Sequence, residues 1–536
     1  MNLIEQPFQH DNFQTEDSAP IQDNENNSNF HGLISPKLAN ELLMKYRMHK
    51  MPQYPFVIIP PEIDFVMLRQ QSPFLFLCVM TASLEHDPAL QHTLETLIRG
   101  EIATRLIIKI ERNIDLLQGL LVHIAWSHYH WRTYHTHMYM LLQMASSVVV
   151  DLDLDRDESF RMQTIPIEGK EPDQIQELSS QTAAGQRALL GCYYISSKSS
   201  IFRGQLTMRH TRWVDQCAKS LAEKAEYPTD LQLKAYVDVQ SLAYQSRLLF
   251  EELRRCSKFP PLEDWTRVSD LIQQQSQIEE PLTLHNTENH SWALRLELSA
   301  AHTLVLGQAL WRRRDIFELQ EINHLKTLTT SAHNIISTFL AVPSSVAVHL
   351  PASAYMTIWY GLLVLSKLSL LFHPDESQVT SVDNKRTHER ALAVIQKFEE
   401  LPPGDNVWTN SIKVVRNLLS WLEKMKAEAQ RHVPPSSALM SPSTGYRFNR
   451  SQGSSFQPSV PVFWQGHLPR VGDNLVKQAA WSPIFSQEDH AASKDIQNGL
   501  TDEFDVGQWQ QMLDSFTWFG PSSDSQLNFG YYGNVA

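Results

Sequence analysis

The sequence predicts an all-α protein: a single large, irregular helical domain of about a dozen helices with disordered amino- and carboxyl-terminal tails. Three observations carry that expectation. Glycine is scarce, 19 residues in 536, whereas turn-rich β architectures need glycine at their tight turns. Apolar residues in the middle of the chain recur at i, i+3, i+4 spacing, the stripe of a helix packed along one side. The prolines then fall at the ends of those stripes, where helices stop. Hydrophobic residues, 42% of the total, suffice for at least one large core.

In chain order, residues 1–35 are acidic and polar, with no Lys or Arg before Lys37, and are expected to be disordered. The helical domain is expected over 36–431. Near its start FVIIPP (56–61) is a short apolar run whose prolines make it an extended connector rather than a central strand. Helices follow at 73–86 and 89–112, parted at Asp87-Pro88. In LLQGLLVHIAWSHYHW (116–131) the stripe runs through Leu117, Leu120, Leu121, Ile124 and Ala125. TYHTHMYMLLQMASSVVVDL (133–152) repeats it and gives way to the charged run DLDLDRDES. Further helices are expected at 184–203, 212–224, 229–256, 290–314, 317–341, 352–372, 384–400 and 408–430. Breaks fall at Tyr227-Pro228, Phe259-Pro260-Pro261, Val342-Pro343, His373-Pro374 and Leu401-Pro402-Pro403-Gly404. AYMTIWYGLLVLSKLSLLF (354–372) is barely long enough to span a membrane and carries Lys367, so a buried core helix is expected. From His432 the composition turns to Pro, Ser, Gly, Asn and Gln, and residues 432–536 are expected to be disordered.

Composition and motifs bound the chemistry. The net charge of −13 opposes direct DNA binding, which needs a basic face to neutralise phosphates. The densest basic spots, Arg312–Arg314 and Lys45–Lys50, read as solvated helix faces. Cys78, Cys192, Cys217 and Cys256 stand far apart without a CxxC pair, as small buried hydrophobes in a reducing compartment would. The amino end has neither the basic nor the apolar region of a signal peptide, so an intracellular chain is expected.

His123, His128, His130, His135 and His137 form the most metal-like cluster. Residues 128 and 135, or 130 and 137, would lie about 10.5 Å apart along an unbroken helix, too far to share one ion, so packing histidines are expected. Asp151, Asp153, Asp155 and Asp157 alternate like a calcium loop but lack the glycine and glutamate such a loop requires, which leaves a polar loop ending a helix. The motifs GxSxG, GxxxxGK[ST], GxGxxG and HExxH are absent. No catalytic, cofactor-binding or metal-binding residue is expected, no cofactor is implied, and an enzyme is not expected.

The carboxyl tail carries the strongest local signal. After Lys494 no Lys, Arg or His occurs, while acidic residues alternate with aromatics. Within residues 501–519, Trp509, Met512, Leu513 and Phe516 fall at i, i+3, i+4 and i+7, with Trp518 and Phe519 beyond. One apolar face of that kind suits a helix entering a partner's groove, and the acidic residues keep it solvated until then.

The blocks PFVIIPPEID, FLFLCVMTAS, ERNIDLLQGLLVHIAWSHYHW, MASSVVVDLDLDRDES and GQRALLGCYYISSKSSIFRGQLTMRHTRWVDQCAKSLAE occur in an order that resembles the helical regulatory region, or middle homology region, of fungal zinc-cluster transcription factors. The resemblance spans roughly residues 40–430. It implies an all-helical regulatory domain with dimer or effector contacts and a tail used for activation. Such factors usually begin with a basic six-cysteine zinc cluster that reads DNA, whereas the first cysteine of this sequence is Cys78. The resemblance therefore implies a transcriptional regulator, of a metabolic or secondary-metabolite gene cluster, acting through protein partners rather than its own zinc cluster. The partners expected are a transcriptional coactivator or a zinc-cluster homologue, in a homo- or heterodimer. Direct DNA binding is not expected without a partner, nor is a membrane. The expected location is the nucleus, by partner-dependent import, and otherwise the cytoplasm. The alternative is a cytoplasmic helical scaffold or small-molecule-sensing protein.

Overall fold

The structure is a computed structural model. It describes residues 33–130, 138–157, 182–200, 208–255, 291–310, 319–371, 378–404 and 406–431, with short pieces between 267 and 278. Two units divide the chain: Met1–Met425 together with Trp509–Ala536, and Lys426–Gln508. The packing described below belongs to the first. Of the second, only the last turns of the final helix are described.

Among the described residues the architecture is helical throughout, without a strand, as the sequence predicts. The helices are α1 (Pro36–Lys45), α2 (Phe65–Gln71), α3 (Pro73–Ala82), α4 (Pro88–Glu101), α5 (Ile114–Ala125), α6 (Met138–Asp151) and α7 (Ala183–Ser199). There follow α8 (Arg212–Lys224), α9 (Asp230–Arg255), α10 (Trp292–Leu310), α11 (Leu319–Ala341), α12 (Ala352–Leu371), α13 (Gln378–Glu399) and α14 (Val407–Arg431), with a single turn Ser344–Ala347 before α12. The expected disordered tails, 432–536 and nearly all of 1–35, lie outside the described residues.

Local chemistry sets where these helices begin. Ser35, Asp64, Asp87, Asn113, Thr182 and Thr211 each accept a hydrogen bond from the backbone N–H three residues on, satisfying a donor that the first turn leaves open. Helix α3 lacks such a cap at Ser72. Its free donors are met instead by Asp115 of α5, which accepts from Phe74 N at 3.2 Å and Leu75 N at 2.8 Å. Arg105 balances that carboxylate at 3.1 Å and pairs with Glu111 at 2.7 Å.

Packing then joins the helices into one core. Helix α10 lies against α9, α11 and α12, α8 against α9, and α3 against α5. Helix α12, the membrane-like stretch, is buried nearly all round, and among the described residues no helix is long and apolar enough to cross a membrane. Helices α3 and α5 come so close that a Cβ on Gly119 would stand 2.3 Å from a Phe74 ring carbon. Gly119→Ala should therefore destabilise the protein by about 1–3 kcal/mol. Gly100, in α4 with nothing within 4 Å of its missing Cβ, should gain about 0.5–1 kcal/mol on the same change. Denaturation midpoints of the two variants against the parent check both signs.

Two expected helices end early. The run expected over 89–112 leaves α-geometry after Glu101, widens through Ile102–Ile108 and reaches Ile110 at φ 55°, in the left-handed region. The stripe of 116–131 ends at Ala125, and Ser127–His130 form a tighter 3₁₀ turn. The reason lies in the aromatic side chains. Trp126 Nε1 donates to His349 O at 3.2 Å and Tyr129 Oη to Val348 O at 2.6 Å, anchors made from the residues that leave the helical path. The aspartate run behaves as the polar loop expected: α6 ends at Asp151, whose carboxylate bonds Arg112, and Asp153 turns the chain at φ 52°.

Candidate functional site

Among the described residues, three groups of charged side chains inside this apolar bundle, besides Asp115 with Arg105, tie distant segments together. The first lies where α1 runs on through the wide turn Tyr46–Lys50. Lys50 is fully buried, donates to Tyr129 Oη at 2.7 Å, and stands 4.8 Å from the Tyr129 ring centre and 5.2 Å from that of Trp126. Glu85, in the turn between α3 and α4, faces it at 3.9 Å. The same carboxylate lies 2.8 Å from Lys45 Nζ and 3.1 Å from His349 Nδ1, and the His49 ring stacks on His349 at 4.8 Å. Four distant segments thus meet around one buried cation.

Burial, partly offset by Glu85, pushes the Lys50 amine down to about 7. For Glu85 burial acts upward, but Lys50, then His349 and Lys45, outweigh it and hold the carboxyl well below its usual range. Burial also lowers His349 despite Glu85, and drives His128 far below an ordinary imidazole.

The second group joins α7, α9 and α10. Glu297 accepts from Lys198 Nζ at 2.7 Å and Tyr194 Oη at 3.0 Å, and its other oxygen accepts from Gln240 Nε2. Both charged side chains are 1% exposed. Phe56, Tyr194 and Tyr236 pack over this pair, with ring centres 5.0–5.6 Å apart. The third group fixes the start of α9: Arg187 grips Asp230 with two 2.8 Å bonds, reaches Glu226 at 2.8 Å and lies 4.9 Å from the Tyr227 ring. Burial opposes the Arg187 charge, but Asp230 and Glu226 outweigh it and raise its pKa.

These three arrangements satisfy charge with charge inside the bundle. Their chemistry is that of clamps which fix helices relative to one another.

The structure places the residues singled out from sequence as follows. Trp509, Met512, Leu513, Phe516, Trp518 and Phe519 lie outside the described residues, as do His135, His137, Arg312–Arg314 and Cys256. His123, His128 and His130 are buried, and among the described residues no three His, Cys, Asp or Glu side chains gather closely enough to hold a metal ion. Cys78, Cys192 and Cys217 are buried free thiols; burial pushes Cys192 and Cys217 up to about 12. One expectation is corrected. The Lys45–Lys50 run is not simply a solvated face, because Lys50 turns inward to Glu85 and Tyr129. Sequence reasoning also missed Lys198, Glu297, Arg187 and Asp230. A signal existed for Glu297, a carboxylate set inside the apolar run WALRLELSAAHTLVL.

Comparison with known proteins gives partial matches. Over 218 residues the chain is 33% identical to "Transcription factor himD" of Aspergillus japonicus, covering 40% of this chain and 35% of that protein. Over 196 residues it is 31% identical to "Transcription factor opdL" of Penicillium oxalicum, covering 35% and 34%. A protein of Aspergillus terreus named "Transcription factor" is 33% identical over 127 residues, 24% of this chain and 21% of its own length. The matches thus span about a third or less of these relatives. No family model and no solved structure matches the chain. The chain is similar, over part of its length, to fungal proteins named transcription factors.

Proposed function

We propose that the chain is a nuclear regulator of a metabolic or secondary-metabolite gene set that acts through protein partners, with the helical domain as a regulatory body and residues 501–519 as the coactivator contact. The observation that carries this reading is the likeness to three fungal proteins named transcription factors. The clamped interior supports it, since a body that relays contacts needs helices held in fixed register. The charge balance supports the partner requirement, since a net charge of −13 disfavours direct contact with nucleic-acid phosphates.

The tail supplies the activating contact. Burying Trp509, Met512, Leu513 and Phe516 offers roughly 6–12 kcal/mol. Ordering the segment takes back about 2–5 and association about 4 or more, which leaves micromolar or weaker, exchanging binding. Residues 495–536 fused to a heterologous DNA-binding domain should activate a reporter. Trp509→Ala with Phe516→Ala should lower that activity more than about tenfold, because aromatic anchors at interfaces are worth about 2 kcal/mol or more each. A silent fusion, or one indifferent to the double substitution, removes the coactivator role.

A further inference from the structure

Helix α11 packs against α13, and polar side chains meet along that seam. His333 and Ser337, one turn apart on α11, stand against Arg390 of α13. Arg390 Nη1 donates to the His333 carbonyl at 3.3 Å and to Ser337 Oγ, while Ser337 Oγ donates to the same carbonyl at 2.9 Å. Arg386 lies one turn before Arg390, so the two guanidinium side chains share one side of α13. Arg390 is half-buried and Arg386 is exposed, so the group runs from solvent inward to His333.

Two things here lack a counterpart. The His333 side chain is buried, in a residue only 1% exposed, yet neither Nδ1 nor Nε2 of its ring makes a hydrogen bond. A buried polar atom left open costs free energy, and the great majority of such atoms in folded proteins are satisfied. The arginines are unmatched as well. Among the described residues no carboxylate lies within ion-pair distance of Arg386 or Arg390; Glu389, between them in sequence, stands 3.8 Å from Lys385. Like charges one turn apart on a helix repel. Burial, then Arg386, lowers the Arg390 pKa, and burial, then Arg386 and Arg390, push the His333 imidazole down to about 4. Lys50, Lys198 and Arg187 each face a carboxylate; at this seam cation faces cation.

One kind of occupant answers both. An oxyanion accepts hydrogen bonds from guanidinium forks two at a time and from an imidazole N–H as well. Two fixed positive charges match a dianion, and a phosphate monoester carries about −1.5 to −2 near neutral pH. A carboxylate, with one charge, leaves one guanidinium uncompensated. Arg390 now holds only neutral acceptors, a carbonyl and a hydroxyl, and charged acceptors bind a guanidinium about twice as strongly. We propose that the α11–α13 seam is a phosphate-binding site, in which Arg386 and Arg390 hold the dianion and the His333 ring donates to it from α11. Its ligand is a small phosphate, either the free ion or the phosphate group of a phosphorylated metabolite. Bound there, it ties α11 to α13 and stabilises the folded chain by mass action.

The test titrates the full chain with inorganic phosphate and, separately, with glycerol 3-phosphate, each against sodium chloride at matched ionic strength. Calorimetry should find one saturable site with a Kd of about a millimolar or tighter for at least one probe. Tighter binding of inorganic phosphate assigns the site to the free ion, and tighter binding of the ester assigns it to a phosphorylated metabolite. Arg386→Gln should weaken that binding about tenfold or more, the weight of one charge-assisted hydrogen bond, and leave the thermal midpoint in chloride unchanged. His333→Leu should weaken it too without lowering that midpoint, because the ring nitrogens have no partner to lose. Lys219→Gln, which takes one charge from the exposed side of α8, should change neither. No saturable heat from either probe up to about 20 mM overturns the proposal. So does binding that Lys219→Gln weakens as much as Arg386→Gln, or binding that survives both Arg386→Gln and His333→Leu.

Discussion

Glu297→Ala is expected to destabilise the helical domain by about 3–5 kcal/mol, the largest loss we expect from a single side chain. The substitution leaves the Lys198 ammonium, 1% exposed, without its carboxylate at 2.7 Å. It also takes the acceptor from Tyr194 Oη and Gln240 Nε2, so three donors lose their partner together. An uncompensated interior charge costs several times what a surface pair contributes. The attribution has its own control. Lys198→Met with Glu297→Leu removes both charges and keeps the volume but still leaves Tyr194 Oη and Gln240 Nε2 without their acceptor, so it should recover part of the loss and end about 1–3 kcal/mol below the parent. Denaturant midpoints of the parent, the single variant and the double variant separate the cases. A Glu297→Ala loss below about 1 kcal/mol would mean that the pair does not clamp α7, α9 and α10.

The bundle was far more legible than its interior charges. Helix α8 was expected over 212–224 and forms over those residues, and the stretch expected over 352–372 forms α12 from Ala352 to Leu371. Both have breakers or capping residues beside them, such as Thr211 ahead of α8, so local chemistry fixed their limits. Helices α1 and α2 escaped notice for a local reason as well. One lies where the acidic leader gives way to the apolar zone, and the other, seven residues long, is too short to show a period.

Lys50 was illegible for another cause. Its sequence neighbours Lys45 and Arg47 suggest a solvated run, and what turns it inward is Glu85, Tyr129, Trp126 and His349, residues far along the chain. Periodicity reports which face of a helix is buried; it does not report which distant carboxylate waits there. Glu297 lies between these cases: its place inside an apolar stripe was visible, and its partners Lys198 and Gln240 were not.

The second large effect is a stability that climbs with pH through Lys50. The folded amine titrates near 7, whereas an unfolded lysine titrates near 10.4. Between those values the unfolded chain carries a proton that the folded chain has shed. Unfolding takes up that proton, so stability rises with pH across the window, by about 1.4 kcal/mol per pH unit and on the order of 5 kcal/mol in all. Below pH 7 both states are protonated, and the full cost of burying the cation remains. The groups facing Lys50 do not cancel the rise. Glu85 stays ionised throughout, and His349 and His128, lowered by burial, stay neutral. Above about pH 8.5 the thiols of Cys78, Cys192 and Cys217 oppose it, since the unfolded chain loses protons that the buried thiols keep. The clean measurement is therefore a difference. Lys50→Met keeps the packing against Trp126 and Tyr129 and leaves Glu85 with Lys45 and His349. Denaturation at pH 6, 7, 8 and 9 should find the variant more stable than the parent at pH 6–7, with the gap closing by about 1.4 kcal/mol per unit above 7. A gap that stays level from pH 6 to 9 would mean that Lys50 holds its proton as an ordinary lysine does.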